Sequence, residues 1–136
     1  MTLILAACGP DAEPEPETIH NPTMEDFAGN WRLTVVFPEQ GDTVQARLGG
    51  SANGRDWVMV NPGNQRVRMP TVSLKGDSLV LVSEEFPAVV RPGARAQVRT
   101  AGVLRDGVIE GLILATLQVG DSQEVRAGTI RATRAN

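Results

Sequence analysis

The chain has 136 residues, with 13 basic and 16 acidic side chains, one histidine, one cysteine and a formal net charge of −3. Residues 24–136 carry all 13 basic residues and 12 of the acids, so the negative charge belongs to the front of the chain. A nearly neutral domain with five aromatics and no tyrosine lacks the basic stripes and stacking rings of a nucleic-acid binder, and a lone cysteine excludes an internal disulfide.

Residues 1–8 end in Leu5-Ala6-Ala7-Cys8. Small residues before a cysteine lie extended in a peptidase cleft, and the motif resembles the lipobox of bacterial lipoproteins. The apolar run is shorter than the roughly 7–15 residues of a complete secretory signal, and no basic residue precedes it. The segment therefore reads as a truncated signal. The resemblance implies lipidation at Cys8, attachment to a membrane through it, and residence in the bacterial cell envelope. Gly9, rather than Asp, follows Cys8 and implies the periplasmic face of an outer membrane.

Residues 9–23 hold four prolines and four acids and are expected to form an extended tether. His20 lies in this segment and is assigned no role. Residues 24–136 are one domain of the usual size. Met24 to Ala28 is the one short helical candidate. Trp31 to Phe37 then alternates, with Trp31, Leu33, Val35 and Phe37 on one face, as a half-buried strand does.

Further strands are expected at Thr43 to Leu48, Asp56 to Asn61, Arg66 to Leu74 and Ser78 to Glu85, then at Ala94 to Leu104, Val108 to Val119 and Gln123 to Arg134. Lys75-Gly76-Asp77 and Arg105-Asp106-Gly107 are hairpin signals. Gly111 is expected to mark a bulge or bend. Trp57, beside Asp56 and after a Gly-rich loop, is expected to be partly exposed. Eight strands joined by hairpins predict an all-β, antiparallel up-and-down barrel, closed so that no edge remains. The alternative is an open β-sandwich.

Gly29-Asn30-Trp31, opening the first strand, resembles the Gly-X-Trp signature of lipocalins and related barrels. That resemblance implies a tryptophan sealing one end of the barrel and a late-strand arginine across its indole. Both Arg134 and Arg131 lie in the last strand; Arg134 is taken with Gly29 and Trp31 as the structural anchor. Small periplasmic inhibitors of secreted metalloproteases share a similar start. They usually carry a disulfide, which this chain lacks.

No catalytic residue is expected, because a nucleophile needs a neighbouring base and residues 24–136 contain no histidine. No metal site or cofactor is expected either, since His/Cys clusters are missing. Glu84, Glu85 and Asp121 read as solvated strand ends, and Arg95 and Arg99 as part of a solvated outer face. Leu33, Val35, Val58, Val60, Leu79, Leu81, Val98, Leu112 and Leu114 are expected to point inward.

A barrel with that lining is expected to hold a small apolar ligand, or to meet an envelope protein, at a mouth bordered by Gly49–Gly54 and Phe86–Gly93. Phe86, Val89 and Val90 form its expected rim. The functional expectation is a membrane-tethered, non-catalytic, monomeric β-barrel lipoprotein. A protease-inhibitor or other protein-binding module, or a structural envelope protein, is the alternative.

Overall fold

The computed structural model describes residues 21–135. The lipobox, Cys8 and most of the expected tether lie outside them. A single-turn helix α1 (Met24–Phe27) precedes ten strands: β1 (Gly29–Phe37), β2 (Asp42–Gly50), β3 (Val58–Asn61), β4 (Gln65–Arg68) and β5 (Thr71–Lys75), then β6 (Ser78–Val82), β7 (Phe86–Pro87), β8 (Arg95–Arg105), β9 (Val108–Val119) and β10 (Ser122–Arg134). The sheet is antiparallel, in the order β4-β3-β2-β1-β10-β9-β8-β6-β5, with β7 pairing β8 off this path.

Two meanders meet at the centre of this order. The first is β1–β4 and the second runs from β5 to β10. They are joined by the ladder of β1 with β10, in which Trp31 faces Arg134 and Val36 faces Thr129. Local turn chemistry builds each meander. Asp106 and Gly107 both have positive φ, at 53° and 79°, the conformation that a two-residue hairpin between twisted strands requires.

The sheet is not the closed eight-stranded barrel expected above. It curls through 254° and leaves its edges 9 Å apart, an open half-barrel. The expected strand from Arg66 to Leu74 is divided at Met69-Pro70 into β4, which pairs β3, and β5, which pairs β6. Proline has no N–H to extend a ladder. Across the seam, isolated backbone and side-chain bonds replace a continuous ladder. The Arg68 N–H donates to Glu84 Oε2 at 2.9 Å, the Glu84 N–H donates to the Arg68 carbonyl at 3.0 Å, and Gln65 Nε2 donates to the Pro87 carbonyl at 2.9 Å. Glu84 is thus a seam residue rather than a merely solvated strand end.

The inner face of the curl is the core. Trp31, Leu33, Val35 and Phe37 of β1 pack there with Leu48, Met59, Val67, Leu79, Leu81, Val98 and Leu117. Trp57 is also buried, contrary to expectation. It is 1 % exposed, and its Nε1 donates to the Ser51 carbonyl at 2.9 Å. Its ring lies on Gly50, where a Cβ would overlap the indole.

The expected bulge at Gly111 does not form. The ladders to β8 and β10 run unbroken through it, opposite Gly102 and Ile130. Gly111 is instead a site of close approach, because a Cβ there would overlap the Ala101 carbonyl. With the register unbroken, Ile113, Ala115 and Leu117 are buried and Leu112 and Leu114 face outward, at 65 % and 48 % exposure. Val58 and Val60 likewise lie on the outer parity, alternating with buried Met59 and Asn61. These four residues were expected inside.

Gly111→Ala should destabilise the domain by about 1–3 kcal/mol or more, the usual range for overpacking against a fixed neighbour. Urea denaturation giving a wild-type midpoint would refute the close approach. At the seam, the Arg68 N–H bond, helped by the Arg68 charge, holds the Glu84 carboxyl below its ordinary value. The stabilisation it supplies is therefore present above that ordinary value and lost as pH falls through the lowered one. Glu84→Gln should lower the denaturation midpoint at pH 7, and the gap from wild type should close toward pH 3. A gap that is the same at both pH values contradicts an ionised Glu84 at the seam.

Candidate functional site

At one end of the half-barrel, Trp31 is fully buried and its Nε1 donates to the Phe27 carbonyl at 2.8 Å. The Arg134 guanidinium lies 3.9 Å from the indole centroid. Its Nη2 donates to the Asp26 carbonyl at 2.7 Å, and Nη1 makes a short bond to the Ala28 carbonyl. One arginine thus caps both the aromatic ring and the end of α1. Gly29 permits this crossing. Its φ is +121°, and a Cβ would lie 2.6 Å from Arg134 Nη1. Arg131 points to the outer face instead, 3.5 Å from Glu110.

Phe86, Val89 and Val90 lie at the opposite end. The Gly49–Gly54 loop does not border that mouth, because Gly50 pairs Gly29 beside Trp31. Phe86 is buried, while Val89 is exposed. The cavity beneath this rim is apolar, lined by residues that include Phe37, Val44, Leu117 and all three rim residues, and has a volume of about 50 Å³. A cavity that takes up benzene is about 150 Å³, and one water occupies about 30 Å³ in the liquid.

The segment over the mouth is also pinned. Arg91 Nη1 meets Glu124 Oε1 at 2.9 Å, and Arg126, 8 % exposed, meets Glu124 at 2.8 Å and Asp42 at 3.1 Å. Bonding to Arg126, with the charges of Arg126 and Arg91, holds the Glu124 carboxyl below its ordinary value. A filled interior under an ion-paired rim overturns the expected apolar-ligand carrier.

The outer face of β1–β4 carries the feature that the residue pattern did not disclose. Register sets Arg32 directly opposite Arg47, Arg47 opposite Val60, and Val60 opposite Arg66. Three arginines thus fall on one row across four strands. Directly opposed side chains have Cβ atoms about 4.5–5.5 Å apart, where like charges destabilise the pair. All three are exposed, and none of their side chains has a hydrogen-bond or ion-pair partner among the described residues. Arg68, Arg91, Arg95, Arg126 and Arg131, by contrast, all meet carboxylates.

Two open depressions flank the row. One, about 350 Å³, is lined by Arg32, Gln45, Arg47, Val60, Asn61 and the Pro62–Asn64 turn, with Ala46 at its base. Its neighbour, about 300 Å³, shares Arg47 and Val60 and adds Arg66 and Asp56. Asp56 keeps its negative charge in that second depression but forms no ion pair with Arg47 or Arg66. Its carboxylate accepts from the Ser51 N–H at 2.8 Å and the Ser51 hydroxyl at 3.0 Å, and these bonds lower its pKa. Alternation along β1 and β2 places Arg32 and Arg47 outside, but only cross-strand register brings them together.

Among the described residues no group of three His, Cys, Asp or Glu side chains is placed to hold a metal ion, and no helix is long and apolar enough to cross a membrane. Comparisons with protein-family models, curated proteins and solved structures found no match. The lipocalin resemblance, carried by Gly29-Asn30-Trp31, therefore finds no support beyond that short motif and is overturned by the open sheet. The lipoprotein reading likewise gains nothing from the comparisons.

Trp31→Ala should cost about 3–5 kcal/mol, the usual range for emptying a large aromatic core site. Arg134→Ala should cost less, because the indole keeps its bond to Phe27. Urea denaturation of both variants checks the order; a larger loss from Arg134→Ala would make the guanidinium, not the ring, the anchor.

Proposed function

We propose that this domain is a non-catalytic binding module whose contact surface is the arginine row of β1–β4, and that its partner is acidic. The observation that carries the reading is the direct opposition of Arg32 and Arg47, with no carboxylate paired to either among the described residues. Such a pair works against folding, and an anionic partner converts that repulsion into binding energy. The depressions beside the row give such a partner a concave seat. Their one carboxylate, Asp56, is engaged by the N–H and hydroxyl of Ser51.

Binding of fluorescent polyglutamate, followed by anisotropy at low and moderate salt, tests the reading. Wild-type protein should bind with an affinity that falls steeply as salt rises, since exposed charges are screened over about 10 Å at 0.1 M. The combined Arg32→Gln, Arg47→Gln and Arg66→Gln variant should lose at least tenfold in affinity at low salt. Arg99→Gln, an exposed arginine of β8 outside the row, should bind as wild type. Equal losses in the triple variant and in Arg99→Gln would reduce the interaction to net charge and sink the proposal.

A further inference from the structure

We infer that the depression between Arg32, Arg47 and the Pro62–Asn64 turn is a phosphomonoester site. The inference rests on the acidic-partner reading and narrows it to one chemical group. Two features of the site select that group. The first is charge: Arg32 and Arg47, directly opposed in register and both lining the depression, bring +2 to it with no ion-pair partner among the described residues. A phosphoryl group carries about −1.5 to −2 at pH 7, whereas a carboxylate carries −1. The second is geometry. One guanidinium fork already satisfies both oxygens of a carboxylate, but a phosphoryl group has three oxygens to share between two forks.

The remaining wall suits the organic part of such a ligand. Val60 and Pro62 are its apolar contacts, while Gln45 Oε1 accepts from the Thr34 hydroxyl and Asn61 Nδ2 donates to Gln65 Oε1. The depression is open to the outside, about seven times the volume of the cavity at the mouth, and requires no rearrangement for entry. Arg66 stands in the adjoining depression and adds attraction at longer range.

Calorimetric titration of the full chain at pH 7.5 and low salt, with glycerol 3-phosphate as probe and glutarate as a dicarboxylate of like charge, tests the site. Saturable binding of glycerol 3-phosphate is expected, at least tenfold tighter than glutarate. Arg32→Gln and Arg47→Gln should each weaken it tenfold or more, and Arg99→Gln should leave it unchanged. Both variants relieve a like-charge pair, so their denaturation midpoints should equal or exceed that of wild type, which separates lost binding from lost folding.

Co-sedimentation with phosphatidic-acid vesicles distinguishes the source of the phosphoryl group. Arg32- and Arg47-dependent sedimentation assigns it to a lipid headgroup, and titration without sedimentation assigns it to a soluble ester. Absence of both, or glutarate binding as tightly as the ester, overturns the site. If polyglutamate still binds through the row in that case, the phosphomonoester inference alone has failed. If it does not, the acidic-partner reading has failed with it.

Discussion

The ladder between β1 and β10 is the contact on which the rest of this structure depends. It alone joins the two meanders within the sheet, through six residue pairs from Trp31–Arg134 to Val36–Thr129. Each meander forms from neighbouring hairpins, but this junction unites residues about a hundred positions apart. Its end is locked by Arg134, which covers the Trp31 indole and bonds to two carbonyls around the end of α1. A cation over a ring contributes about 0.5–2 kcal/mol depending on burial. Its larger consequence is positional, since a one-residue slip of β10 would turn Arg134 away and expose Ile130 and Ala132.

From that register follow both the tight interior and the charged exterior. Gly102 and Gly111 meet across β8 and β9, where backbones approach too closely for a side chain on Gly111. Apolar side chains then fill the inside, leaving a space of about 50 Å³ beneath Phe86 and Val90. The same ladders line up Arg32, Arg47 and Arg66 on the outer face of the curl, where two depressions flank them.

The open seam shows why an antiparallel meander need not close. β4 and β5 are consecutive stretches of chain that take different partners on either side of Met69-Pro70. The proline cannot donate at the point where one ladder would pass into the other. Glu84 takes over by offering its carboxylate to the Arg68 N–H and its own N–H to the Arg68 carbonyl. One backbone bond and one to a charged side chain satisfy Arg68 without forming a continuous ladder, and the edges remain 9 Å apart.

Much of this fold was legible in the residue pattern, and the misses share one cause. Alternation from Trp31 to Phe37 identified the inner face of β1, and Lys75-Gly76-Asp77 and Arg105-Asp106-Gly107 located two hairpins, because period and turn conformation are local properties. Leu112, Leu114, Val58 and Val60 were assigned to the wrong face because apolar character alone does not reveal parity where both alternating sets are apolar. Trp57 gave no sign that Gly50 would make room for its ring. The carboxylate of Glu84 could not announce a backbone partner sixteen residues away. Local chemistry thus determined by itself that the chain is β, where it turns and which residues of β1 are core. Register, closure and the meeting of Arg32 with Arg47 and Arg66 were decided only by tertiary structure, because each depends on which strands pair and on the exact residue at which they align.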